Sequence, residues 1–224
     1  MDIVSHLKER TNFFRFFYEN GTQPFRDIMR KIEDENFQFD PEHCDDGGEE
    51  LSDHEYAQAW YGVEMIGVAT LCMLSDSLKI FFSTLAKTLD IDRVKVDWSG
   101  GFVNGYRKIF GNLINEDWSS CPANIGVIEQ IVMARNDAQH GRDLRDILPI
   151  HNSNTRIRYS NPFFINDVDS IIINTEFLEG LARMDLQISV TKERLFAAID
   201  QVEILAEWMQ FRLQNVSERN GDEA

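Results

Sequence analysis

Residues 53–89, DHEYAQAWYGVEMIGVATLCMLSDSLKIFFSTLAKTL, carry Met65, Val68, Leu71, Leu74, Leu78, Phe81 and Leu85 at steps of three and four, with Trp60 upstream. That period places one apolar stripe on a single long helix, which reads as the scaffold of the fold. Two ionisable residues lie inside it, Glu64 and Asp76. Such residues usually occupy the wet face of a helix. Asp76 is retained as a candidate supporting residue for a site described below.

Working outward toward the N-terminus, residues 40–53, DPEHCDDGGEELSD, are acidic and contain Gly47-Gly48, the composition of a solvated loop. His43, Cys44 and Asp45 could be imagined as metal ligands, but a flexible acidic surface loop accounts for them better. Before the loop, Val4, Leu7, Phe13, Phe14, Phe16 and Phe17 predict a first helix ended by Asn20-Gly21. Thr22 as cap, Pro24 in the first turn and Phe25, Ile28, Met29 and Ile32 predict a second. Residues 1–52 thus read as an N-terminal helical hairpin plus an acidic loop.

Toward the C-terminus, Trp98-Ser99-Gly100-Gly101 marks a turn before a short helix from Phe102 to Leu113. After Cys121-Pro122 a further helix runs from about Ala123 to His140, with Ile125, Ile128, Ile131 and Val132 as its buried stripe and Gly141 placed as its cap. RIRYS at 156–160, DSIIIN at 169–174 and MDLQISV at 184–190 read as short strands, so 151–190 is expected to be a small β appendage between the last two helices. A closing helix from about Thr191 to Val216 carries Leu195, Phe196, Ile199, Val202, Leu205, Trp208, Met209 and Leu213. A frayed polar tail is expected at 217–224. The fold class is mainly α, with residues 53–216 as the principal helical domain.

The 224 residues suffice for one sizeable core, and 43% hydrophobic with 27% charged residues is ordinary globular usage. Phe, at 16 copies, is unusually frequent, and the run Phe13-Phe14-Arg15-Phe16-Phe17 reads as core or dimer interface. No stretch of about 18 or more apolar residues lacks charges, and the N-terminus MDIVSHLKER has no secretory pattern, so the expected location is cytoplasmic, away from membranes. Cys44, Cys72 and Cys121 form no close pair, which predicts reduced thiols and neither metal nor cofactor. The net charge of −16 repels polyanions at long range, yet screening over about 8 Å leaves room for a small basic site.

One segment carries chemistry: Arg135-Asn136-Asp137-Ala138-Gln139-His140. A bare Arg-x4-His pattern arises by chance in roughly a quarter of chains of this length, whereas Asn directly after the Arg lowers that to about one per cent. On a helix Asn136 and His140 lie one turn apart on one face, and Arg135 flanks that face by about 100° with a stem long enough to reach across. The three types suit a phosphodiester. Arg pairs with nonbridging oxygens, Asn orients a group and His transfers a proton. A helix C-terminus favours a cation, which suits a histidine there to donate. RNA supplies its own nucleophile in the 2′-hydroxyl, so such a site needs no metal, and a deoxyribonuclease is disfavoured.

IEQIVMARNDAQHG resembles the RNxxxH motif of HEPN domains, helical domains of many prokaryotic toxins, antiviral nucleases and RNA-guided ribonucleases. The resemblance covers the motif and a compatible helical order over roughly 53–141 and 191–216. It implies a four- or five-helix bundle that forms a homodimer, with two motif helices making one composite endoribonuclease site for an RNA substrate. Restraint of such an activity could rest on an antitoxin, on an activating ligand or partner, or on the repulsive acidic surface. Arg135, Asn136 and His140 match the motif position by position. Arg142 departs from it, standing where HEPN toxins paired with a nucleotidyltransferase antitoxin carry Tyr. Residues 1–36 and 156–190 are additions that the motif does not explain.

Arg142 and Arg145 could extend a positive patch toward a phosphate backbone, diluted by Asp143 and Asp146. His151, beside this loop, reads as a solvated histidine. Other readings stand beside the nuclease. Arg135 and His140 are also what the dipole favours near any helix C-terminus. A HEPN fold can bind RNA, a nucleotide or a protein without cutting. A pure interaction protein would use its aromatic helices instead.

Overall fold

The computed structural model of the chain describes residues 2–36, 47–91, 97–114, 118–140, 146–174 and 186–222. These residues contain seven α-helices: α1 (Ile3–Asn36), α2 (Gly47–Thr88), α3 (Phe102–Ile114), α4 (Ile125–Gln139), α5 (Ser153–Arg158), α6 (Asp167–Asn174) and α7 (Lys192–Asp222). The architecture is a helical bundle in which α2 touches α1, α4 and α7. Arg10 of α1 donates from Nε to Ser77 Oγ (3.0 Å) and Tyr56 of α2 donates to Glu33 Oε1 (2.9 Å), so α1 and α2 run antiparallel. Arg15 pairs with Asp200 (2.6 Å) and Glu203 (2.7 Å), and Lys192 with Glu19, which sets α7 antiparallel to α1.

The apolar stripe of α2 does what its period requires. Leu71, Leu74, Leu78 and Phe82 are fully buried, facing Ile128 and Ile131 of α4 and Leu195, Ile199, Val202 and Leu205 of α7. Each such side chain contributes about 1.5–3 kcal/mol by leaving water. Phe82 stacks on Tyr106 at 4.9 Å between centroids, which ties α3 to the end of α2. By length and composition Ser52–Thr88 could cross a membrane, with a mean hydropathy of 1.6 over its most apolar window. Of that window, 56% is buried inside the bundle, as the central helix must be.

Four expectations are corrected. The N-terminal hairpin is one continuous helix. Gly21 lies within α1, where an added methyl would press on Ile66 of α2 at 3.3 Å, and the buried Thr22 donates back to the Tyr18 carbonyl at 2.8 Å. Pro24 deprives the Asn20 carbonyl of its helical partner, but Asn20 is exposed and water can serve it. Contact with α2 along its length therefore overrides the local stop signal. The acidic stretch is helical from Gly47 onward, and its His43, Cys44 and Asp45 lie outside the described residues.

Two of the three expected strands are helical. Asn152 caps α5 by accepting from Thr155 N–H at 2.9 Å, and Asn166 accepts from Asp169 N–H at 2.7 Å beneath α6, whose first turn holds Asp167 and Asp169. These caps and acids favour a helix start over the strand preference of the isoleucines. Of the third, residues 186–190 make an isolated antiparallel bridge, Ile150 with Gln187, and no strand forms among the described residues. Gly67 admits this segment, since a methyl there would lie 2.7 Å from the Val190 carbonyl. The closing helix continues through the expected tail to Asp222.

Candidate functional site

The short helix α4 carries the segment singled out by sequence. Its start is fixed twice: Asn124 accepts from Val127 N–H (3.2 Å) as N-cap and donates its own N–H to Gln201 Oε1 of α7 (2.6 Å). Val127, Ile128, Ile131, Ala134 and Asp137 form the buried face. The helix ends at Gln139, and His140 is its cap, leaving helical geometry (φ −111°, ψ 51°) while its N–H still bonds the Asn136 carbonyl at 3.2 Å.

Asn136 and His140 are exposed, one turn apart as expected, and the Arg135 side chain is 24% exposed. The guanidinium turns to Asn136: one terminal nitrogen donates to its Oδ1 at 3.2 Å. The other donates to Asp76 Oδ1 of α2, also at 3.2 Å. Its Nε is buried and finds no acceptor among the described residues, so the two terminal nitrogens alone hold the head. Asp76 is thus brought into the site. Cys72, one turn before it, senses the same pair: burial pushes its thiol up, Arg135 pulls it back and Asp76 pushes it up further. Arg142 and Arg145 lie outside the described residues.

No family model, curated protein or solved structure matches this chain. The chemistry of the site must therefore be argued from its own groups. An exposed imidazole, an exposed carboxamide and a guanidinium held against a half-exposed carboxylate offer a proton-transfer group, an orienting group and a fork of donors on one edge. Asp76 takes one terminal nitrogen of that fork and so fixes its direction.

Sequence reasoning passed over what lies behind this edge. Asp137, 4% exposed, turns inward and accepts from Thr155 Oγ1 at 2.7 Å and from the Asn152 amide. His151 Nδ1 lies 3.3 Å from the same carboxylate, and its Nε2 donates to the Phe164 carbonyl at 2.9 Å. His151 is 1% exposed, which corrects the expectation of a solvated ring. It is buried because residues 151–155 pack against Asp137, whose buried carboxylate is satisfied by Asn152 and Thr155. The signal was present in the spacing: continuing the stripe from Ile128 and Ile131 by threes reaches Ala134 and then Asp137.

Proposed function

We propose that this chain is a metal-independent endoribonuclease of HEPN type, acting in a bacterial toxin or antiviral system. The observation that supports the reading is the pairing of Arg135 with Asn136 and Asp76 at the end of α4, with the exposed His140 one turn beyond Asn136. The 2′-oxygen attacks phosphorus, its proton passes to a base, and the bond to the 5′-oxygen breaks as that oxygen takes up a proton. His140 serves as general acid or base. Arg135 stabilises the added charge on phosphorus, and Asn136 orients Arg135 or the substrate. The products are a 2′,3′-cyclic phosphate and a 5′-hydroxyl. In a homodimer the two motif helices would meet to form one composite site, with an antitoxin or activating partner as the restraint.

The test is incubation of wild type, Arg135→Ala and His140→Ala with mixed cellular RNA in EDTA, reading fragments and their ends. Cutting by the wild type alone, with cyclic-phosphate ends, supports the proposal. Intact RNA with all three proteins folded and dimeric contradicts it. That second outcome belongs to a HEPN module that binds RNA, a nucleotide or a protein without cutting. The net charge of −16 favours that reading.

A further inference from the structure

The groove between α1 and α2 reaches the site at Asp76, whose carboxylate belongs to both. Upstream it forms a cavity of about 580 Å³, within the usual range of small-molecule sites. Its apolar lining is Phe13, Phe14, Met73 and Ile80, and Phe13 and Ile80 are half exposed, at 53% and 50%. Phe14 is buried and meets Phe13 edge-on, with ring centroids 6.3 Å apart, which braces the exposed ring from beneath. Glu9, Arg10 and Asp76 supply the polar lining.

We infer that this cavity is a nucleobase subsite that prefers guanine, taking the base of the nucleotide whose phosphate lies on Arg135. The inference rests on the ribonuclease reading for the phosphate, while the cavity itself stands apart from it. An exposed, braced aromatic ring stacks any base. The polar groups then select among bases. Carboxylates only accept, so they pair with an edge that presents adjacent N–H donors, as the N1–H and N2 amino group of guanine do. Uracil offers a single N–H between two carbonyls and meets the carboxylates unfavourably.

Arg10 suits the adjoining edge, because a guanidinium pairs with guanine O6 and N7. Ser77 holds Arg10 through Nε at 3.0 Å, leaving the terminal nitrogens for such a contact. Asp76 uses Oδ1 for Arg135, and Glu9 uses Oε2 for His6, so each keeps a second oxygen that no described residue engages. The shared Asp76 also fixes the neighbourhood: an anion on Arg135 sits one side chain from the cavity.

The test is titration of the full chain in EDTA with guanosine or uridine 3′,5′-bisphosphate, which carry phosphate on both sides of the nucleoside. The readout is the methyl NMR signals of Met73 and Ile80. The guanosine compound should shift both signals and bind about tenfold more tightly than the uridine compound; Phe13→Ala should weaken it about tenfold, and Phe13→Trp should retain it. Equal responses to the two compounds, no methyl shift, or full binding by Phe13→Ala overturns the subsite. So does a dimer that dissociates in Phe13→Ala while neither compound shifts the wild-type signals, since the groove would then be covered by a second copy. Cleavage without methyl shifts removes the subsite alone; guanosine binding without any cleavage removes the nuclease reading alone.

Discussion

Asn136 and Asp137 are neighbours in the chain and opposites in the fold. Asn136 is exposed and joins the outward edge with Arg135 and His140, whereas Asp137 is 4% exposed and tied to Asn152, Thr155 and His151. One helical step of about 100° separates a face free to meet a ligand from one that holds residues 151–164 onto α4. Six consecutive residues therefore do two kinds of work. Exposed polar groups can be removed with little structural loss, while buried ones cannot.

Arg135→Ala breaks this comparison on its outward side. Loss of the charge-stabilising fork should lower the cleavage rate about 10²–10³-fold, read on a defined RNA in EDTA. A loss of less than threefold would contradict the assignment. Asp137→Ala acts on the other face. It strands Asn152 and Thr155 without their shared acceptor and should cost about 3 kcal/mol in chemical denaturation. An unchanged midpoint would show that the network carries no stability.

Glu64 sharpens the comparison, since it is a buried carboxylate with a poorer donor set, Ser189 Oγ at 3.1 Å and Val190 N–H at 3.4 Å. Burial lifts its carboxyl above the ordinary value of 4.5, against the pull of those two donors. The folded state thus favours the protonated form. That stabilisation is complete below the unfolded value and is lost as pH rises through the higher folded one. Relative to Glu64→Gln, the wild type should lose Tm as pH rises through that window, and a constant difference would contradict the sign. The smallest effect is expected at Cys72. Arg135→Ala removes the group that pulls its thiol down, so alkylation at pH 8 in a background lacking Cys44 and Cys121 should slow. An unchanged rate would place Arg135 away from Cys72.

Much of this molecule was legible in the order of its residues. The stripe through Leu71, Leu74 and Leu78 foretold the central helix because burial on one face leaves a period that no other element shares. The motif stood out because its residue types are improbable together. Three things were not legible, for physical reasons. Asn20-Gly21 looks like a helix end until Ile66 of α2 is known to need the space beside Gly21. The isoleucines of α6 suggest a strand because their β preference is strong, yet Asn166 and two aspartates start a helix there. The donors to Asp137 come from 15 and 18 residues downstream, and a contact at that separation leaves no local trace.

The most direct test pairs His140→Ala with Asp137→Asn, measuring the thermal midpoint and the rate of RNA cleavage in EDTA on the same preparations. The account predicts that His140→Ala keeps the wild-type midpoint and loses about 10²–10⁴-fold in rate, while Asp137→Asn lowers the midpoint and retains far more of the rate. Wild-type cleavage by a folded His140→Ala protein, or no cleavage by the wild type itself, would contradict it.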